Sequence, residues 1–240
     1  MLHRLQNSAQ AMSRFMRRQD HTANNLANAN TIGYKQGRVF TDVLSEHIDH
    51  EGSPQSANRM QDWSDLSEGE LEKTGNPLDV ALAGDGLFTV RDENHNQFYT
   101  RAGRFSLDGD GVLRDMNGYA VQGQSGRIVI PPEAEGTVNI TNDGVIKIEG
   151  QPIDRLQVLT FQNPRELTPR EGSLLSSDQP PTGVLETPTV RQGFVEGSNV
   201  DPVHEMTNMI EQARMFETQQ RWLRTTDQIL GRVSRELGKF

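Results

Sequence analysis

Met206-Thr-Asn-Met209-Ile-Glu-Gln-Ala213-Arg-Met-Phe216-Glu-Thr-Gln-Gln220-Arg-Trp-Leu223 places Met209, Phe216 and Leu223 at every seventh position, and Leu230 and Leu237 continue the row. Met206 and Ala213 are the half-heptad partners. Such spacing predicts a long helix that lays one face along another helix. Its start is well marked. Asp201 stands as N-cap, Pro202 occupies the first helical position, where a missing N–H costs nothing, and Glu205 sits in the first turn, favourable to the helix dipole. From there the pattern runs nearly to Phe240. Gln220, Asp227 and Ser234 make the half-heptad row polar, which suits a helix among several neighbours better than a simple two-stranded coil.

A second seam opens the chain. Leu2, Leu5, Ala9, Met12, Met16, Gln19, Ala23 and Leu26 alternate spacings of three and four. This helix is expected to stop at Asn28 or Asn30, before Gly33, because these residues tolerate the left-handed conformation that ends helices. Seams at both ends predict that the termini meet in a coiled coil. Ordinary amphipathic helices on a globular core would show the same periodicity.

Between the seams the character changes. Residues 36–76 are polar, with Gly52, Ser53, Pro54 and Gly69, and read as an extended connector with at most short strands. Residues 77–193 read as an all-β domain. Its candidate strands are 78–83, 87–91, 97–101, 104–107, 112–114, 127–130, 137–140, 145–148 and 156–161, broken by Gly, Asp and Asn. Asn142-Asp143-Gly144 predicts a hairpin with a two-residue turn. From 162 to 191 the prolines Pro164, Pro169, Pro180, Pro181 and Pro188 predict an extended return segment. The division is therefore 1–35, 36–76, 77–193 and 194–240: a mainly β protein with helical termini.

Composition excludes several classes. No run approaches the roughly eighteen apolar residues that cross a bilayer, so membrane insertion is not expected. Arg4, Arg14, Arg17 and Arg18 lack an apolar h-region behind them, so no cleavable signal peptide is expected. Cysteine is absent, which removes disulfides and thiol chemistry. The net charge of −9 divides as +4 over residues 1–35, −13 over 36–200 and zero over 201–240. No basic stripe follows a phosphate backbone and the aromatics are not interleaved with Lys or Arg, which argues against nucleic acid.

Candidate chemistry is thin. Asp108-Gly-Asp110-Gly-Val-Leu-Arg-Asp115 has Val112 and Leu113 where a calcium loop needs an oxygen ligand and a glycine, and it reads as a turn. Gly84-Asp85-Gly86 lacks the third glycine of a dinucleotide loop. His47-Ile-Asp49-His50 has ligand-like spacing but lies in the polar connector. Neither a nucleophile elbow nor a local Ser-His-Asp set is present. No catalytic residue, metal or cofactor is expected.

The two ends also carry a resemblance. Ala23-Asn-Asn-Leu-Ala-Asn-Ala-Asn-Thr31-Ile-Gly-Tyr-Lys35 resembles the N-terminal signature of the bacterial flagellar rod and hook axial proteins. Gly193-Phe-Val-Glu-Gly-Ser-Asn-Val-Asp-Pro202 and the helix start that follows resemble their C-terminal signature. Asn76-Pro-Leu-Asp-Val-Ala-Leu-Ala-Gly-Asp-Gly-Leu-Phe88 and Tyr99-Thr-Arg-Ala-Gly-Arg-Phe105 are similar to their β-domain opening. The resemblance spans nearly the whole chain.

It implies a structural subunit of the rod, the drive shaft that carries torque across the periplasm. Copies of it would assemble helically with one another and with other rod proteins, after delivery by the flagellar type III export apparatus. The terminal helices would order on assembly. Leu2, Leu5, Met12, Met16 and Leu26 would pack against Met206, Met209, Phe216, Leu223, Leu230 and Leu237. Asn24, Asn25, Asn28 and Asn30 would bond helix ends and neighbours, and Gly33 would permit the turn to the connector. The short connector, Met209–Glu217 and Gly123–Pro131 favour a proximal rod member over a distal one. From other classes, an adhesive or carbohydrate-binding β-domain with coiled-coil arms predicts aromatics clustered on one β face, and an enzyme predicts converging carboxylates.

Overall fold

The computed structural model describes residues 2–42, 59–131, 138–163, 167–170, 172–177, 179–185 and 187–237, and it divides into a helical unit and a β unit. The His47, Asp49 and His50 cluster lies outside the described residues. So do the side chains of Leu2, Leu5, Ala9, Leu223, Leu230 and Leu237.

The helical unit contains α1 (Leu2–Ala27) and α2 (Pro202–Leu237). At the head of α2 the Asp201 carboxylate accepts the Val203 and His204 amides at 2.9 and 3.2 Å, the N-cap that the sequence predicts. Hydrogen bonds join the helices, among them Asn25 Nδ2 to Glu205 Oε1 at 3.2 Å and Gln212 Nε2 to Thr22 Oγ1 at 3.1 Å. Thr22, Asn25 and Glu205 are buried, whereas Met16 is 49 % exposed and Met206 47 %. Polar side chains therefore hold the inner face, displaced by about one residue from the apolar row read in α1. Among the described residues no helix is long and apolar enough to cross a membrane.

The β unit, residues 28–200, contains nineteen strands among its described residues. In chain order they are β1 (Gly37–Asp42), β2 (Arg59–Ser64), β3 (Leu71–Lys73), β4 (Val80–Ala83), β5 (Leu87–Arg91), β6 (Gln97–Thr100), β7 (Ser106–Leu107), β8 (Leu113–Arg114), β9 (Ala120–Gly123) and β10 (Gly126–Arg127). They continue with β11 (Val138–Ile140), β12 (Val145–Ile148), β13 (Gln151–Arg155), β14 (Val158–Thr160), β15 (Thr168–Pro169), β16 (Leu174–Ser176), β17 (Gly183–Val184), β18 (Thr189–Gln192) and β19 (Phe194–Glu196).

The largest sheet follows the order β15-β16-β6-β5-β9-β8-β7, with β14 also on β5. At its centre β5 is buried over its first four residues. Successive strand side chains point to opposite faces, so β5 feeds two cores. Phe88 and Val90 join Leu78, Val80, Leu113, Ile128, Ile146 and Val158, while Leu87 joins Tyr99, Leu159, Leu167 and Leu175. Phe88 meets Phe105 edge-on at 5.3 Å in the first core, and Tyr99 meets Phe161 at 4.7 Å in the second.

Three expectations are corrected. The connector is more regular than read, because β1 and β2 pair antiparallel over six residues each. The return segment is not merely extended: β15, β16, β17 and β18 each pair, and β18 runs along β4 from Thr189↔Ala83 to Gln192↔Val80. Prolines and polar residues disguise strands whose partner is distant in sequence. Asn142-Asp143-Gly144 is a three-residue loop, with Thr141 and Val145 facing across it and Gly144 alone at positive φ. The two-residue turn lies one hairpin later at Glu149–Gly150, both at positive φ as a type I′ turn requires.

That three-residue loop occurs four times among the described residues. In Asp92–Asn96, Asp108–Val112, Asp115–Tyr119 and Thr141–Val145, the first residue's amide donates to the fifth carbonyl and the fourth amide returns to the first carbonyl. Each time the first side-chain oxygen also accepts the fifth amide, from Asn96 at 2.7 Å, Val112 at 2.8 Å, Tyr119 at 2.8 Å and Val145 at 3.1 Å. The fourth residue has positive φ: Gly111, Gly118 and Gly144, but His95 in the first loop. Asp108 is thus the anchor of a turn. Its second oxygen takes Arg114 Nε at 2.6 Å.

The left-handed conformation costs an L-residue about 1–2 kcal/mol, against about 0.5–1 kcal/mol of extra chain entropy for glycine. His95→Gly should therefore raise stability by roughly 0.5 kcal/mol in urea unfolding. Gly118→Ala, with nothing within 4 Å of the added methyl, should lower it by about 1 kcal/mol.

Hydrogen bonds hold three loop carboxylates below the ordinary aspartate value of 3.8: Asp92 from Asn96, Asp108 from Arg114 and Asp143 from Thr141. A folded-state value below the unfolded one gives stability that is whole above about pH 4 and lost as pH falls through the depressed values. The melting temperature should fall between pH 5 and pH 2.5, and Asp108→Asn, which keeps the turn acceptor without the charge, should flatten that fall.

Candidate functional site

The β unit begins and ends at one place. After α1 the chain turns, with the Thr31 amide donating to Asn28 O at 3.0 Å and Thr31 Oγ1 to Asn28 Oδ1 at 3.1 Å. Gly33 follows at φ 66°, and its amide donates to Glu196 O at 2.7 Å. A Cβ on Gly33 would stand 2.1 Å from the Ala102 nitrogen and 2.4 Å from its Cα, so glycine is required on both counts.

Beneath that contact lies a buried charge cluster. Lys35 Nζ donates to Glu196 Oε1 at 2.5 Å and to Ser67 O at 2.6 Å. Arg101 reaches Glu196 Oε2 at 3.4 Å and Gly84 O at 2.7 Å, and the Gly69 amide donates to Glu196 Oε1 at 2.9 Å. The side chains of Lys35 and Arg101 are 2 % exposed and that of Glu196 is 0 %. Two cations thus share one carboxylate, and carbonyl oxygens supply the remaining negative potential. Burial pushes the Lys35 ammonium below its ordinary value, against the pull of the Glu196 carboxylate.

Asn199 completes the arrangement. Its Oδ1 accepts the Gln36 amide at 2.7 Å, and its Nδ2 donates to Asp65 O at 2.8 Å and to Ser67 Oγ at 3.0 Å. β19 then pairs with β3 from Phe194↔Lys73 to Glu196↔Leu71. Four segments distant in sequence are tied at this point: 33–36, 65–73, 84–102 and 194–199. The arrangement is mechanical, because every ionic group in it is spent on another part of the same fold.

Sequence reasoning had named Gly33 here but not Lys35, Arg101 or Glu196 as a set. Each sits in one of the three quoted motifs: Thr31–Lys35, Tyr99–Phe105 and Gly193–Pro202. Two motifs with only basic charges, Lys35 in the first and Arg101 and Arg104 in the second, beside one with only acidic charges, Glu196 and Asp201, were the signal available. In the helical unit the expected contact residues are scattered. Asn25 is buried; Met12, Leu26, Met209 and Phe216 are partly buried; Asn24 is exposed. Asn28 is partly buried and Asn30 exposed at the start of the β unit.

The chain is thus a β unit closed by a buried clasp, with one helix before it and another after it in sequence. Residues 5–35 match the family described as flagella basal body rod protein, 81–148 the flagellar hook protein FlgE/F/G D1 domain, and 191–236 the flagellar basal body rod FlgEFG protein C-terminal. Among relatives, the flagellar basal-body rod protein FlgG of Bacillus subtilis is 34 % identical over 96 % of this chain and 97 % of its own. FlgG of Agrobacterium fabrum is 34 % identical over 90 % and 92 %. The rod protein FlgF of Salmonella typhimurium is 30 % identical over 99 % of both. The chain belongs to the flagellar basal-body rod protein family.

Removing one partner of a buried ion pair costs about 3–5 kcal/mol, because it strands the other charge. Glu196→Gln strands two, and should lower stability by at least about 3 kcal/mol in urea unfolding. A change below 1 kcal/mol would show that the cluster does not hold the fold.

Proposed function

We propose that this protein is a structural subunit of the flagellar rod, of the proximal FlgF type, and that it helps carry torque from motor to hook. The observation that carries the reading is the clasp: the signatures of the two chain ends meet around Glu196, at the root of the two terminal helices. In the assembled rod the helices pair as a coiled coil. Leu2, Leu5, Met12, Met16, Leu26, Met206, Met209, Phe216, Leu223, Leu230 and Leu237 pack within and between subunits, and Asn24, Asn25, Asn28 and Asn30 bond helix ends to neighbours. Isolated helices are marginal in water, and this packing supplies their stability. The subunit reaches the periplasm through the flagellar type III export apparatus with its N-terminus intact. Its partners are its own copies and the other rod proteins.

The short connector and the near end-to-end match to a FlgF relative support the proximal type. A distal, FlgG-type position is the second reading, favoured by the 34 % identity to two FlgG proteins against 30 % to FlgF.

Quantitative mass spectrometry of purified hook–basal bodies tests both readings. A few copies per structure are expected; a markedly larger number moves the subunit to the distal rod, and absence overturns the rod reading. In the same assay Leu223→Glu should abolish incorporation, since it sets a charge in the seam, while the purified variant keeps its β-sheet circular dichroism.

A further inference from the structure

At the Arg91 end of β5 the β unit holds a cavity of about 500 Å³ whose charge the clasp does not use. Arg91, Arg114, Arg127 and His95 line it, with Asp92 and Glu93 at the same turn. Arg114 is committed to Asp108 and to Gly118 O, and Asp92 to the Asn96 amide and side chain. Arg91 Nε is buried and has no partner among the described residues. A donor stranded in this way is costly until an acceptor reaches it. Arg127 is exposed on β10 and forms no ion pair among the described residues. The cavity therefore has two uncommitted guanidinium groups and only Glu93 as an uncommitted carboxylate.

Complementary charge stands on the segment that leads into β3. Glu68 accepts the Gly84 amide, just before β5 begins at Leu87. Glu70 and Glu72 follow, both exposed and both outside any ion pair among the described residues. Glu72 lies on β3, which among the described residues pairs as a strand with β19 only. Carboxylates two residues apart on an extended chain project to one side, roughly 7 Å from each other.

We propose that the cavity receives the Glu70–Glu72 edge of a second copy of this chain. The inference rests on the rod reading and names a contact within it. The acidic edge and the basic cavity lie on different elements of the β unit, the one on β3 and the segment leading into it, the other at the β5–β6 turn and β10. Such a contact is heterologous: it uses different surfaces on the two copies and continues as an open helix instead of closing into a dimer. The excess negative charge of residues 36–200 favours a basic receptor for a like copy over an acidic one.

The chain has no cysteine, so an engineered pair reports cleanly. Glu93→Cys on the cavity rim and Thr74→Cys beside the acidic edge, placed in one chain, should link successive copies in isolated basal bodies on mild oxidation. Neither single variant should do so. Arg127→Glu should reduce the linkage about tenfold or more, and adding Glu72→Arg should restore it. Three outcomes overturn the inference while leaving the rod reading intact: incorporation without linkage, linkage to a different subunit, or linkage indifferent to Arg127→Glu. Absence of the chain from basal bodies, by mass spectrometry of the same preparation, overturns the rod reading itself.

Discussion

The Glu196 carboxylate must satisfy two buried cations and a backbone amide at once, and most of the long-range organisation of the β unit follows from that demand. Each oxygen has separate work: one accepts Lys35 and Gly69, the other faces Arg101. Burying three charges is expensive, and the expense is offset only when hydrogen bonds to carbonyls and amides fill the remaining valences. Ser67 O and Gly84 O fill two of them, which fixes the ends of the connector and of β4, while the buried Arg101 Nε has no partner among the described residues. An apolar plug of equal volume could hold the same space. It would not dictate which loop carbonyls must face inward, and that orientation is what the ionic arrangement adds.

How much of this could be read beforehand depends on whether a signal was local. The N-cap at Asp201 was legible because cap, proline and first-turn glutamate are consecutive residues acting on one helix end. β5 and β12 were legible in full, since runs such as Leu87-Phe-Thr-Val-Arg91 combine β-branched and aromatic residues without interruption. β13 was not, because Gln151-Pro152-Ile-Asp-Arg155 contains a proline; the register breaks between Ile146 and Lys147 to accommodate it. β18 escaped for a similar reason, with Pro188 at its threshold and its partner β4 about a hundred residues earlier. The clasp was the least legible feature. A lysine, an arginine and a glutamate in separate motifs look like solvated charges until the topology brings them together.

The repeated loop shows a second economy of the fold. Four hairpins of different composition use one hydrogen-bond pattern, with an Asp or Thr oxygen standing in for a backbone acceptor at the fifth amide. Reading Asp108-Gly-Asp110 as a turn was right in kind. Its likeness to Asp115-Met-Asn-Gly118 and Thr141-Asn-Asp-Gly144 emerges only when the acceptors are compared atom by atom. Such turns define register without help from the core, so short strands such as β7 and β8 can be aligned by their ends.

The contact between Gly33 and Glu196 has an evolutionary consequence. Lys35 and Glu196 are 161 positions apart, yet the chain enters and leaves the β unit at one point. Everything between them is a cassette on a single mounting. Strands can be inserted, deleted or exchanged inside it while the terminal segments keep their departure point, because the entropy of closing a loop grows only with the logarithm of its length. Descendants of such an ancestor could thus diversify their outer decoration and retain one mounting, with the lysine, the arginine and the glutamate as its fastening.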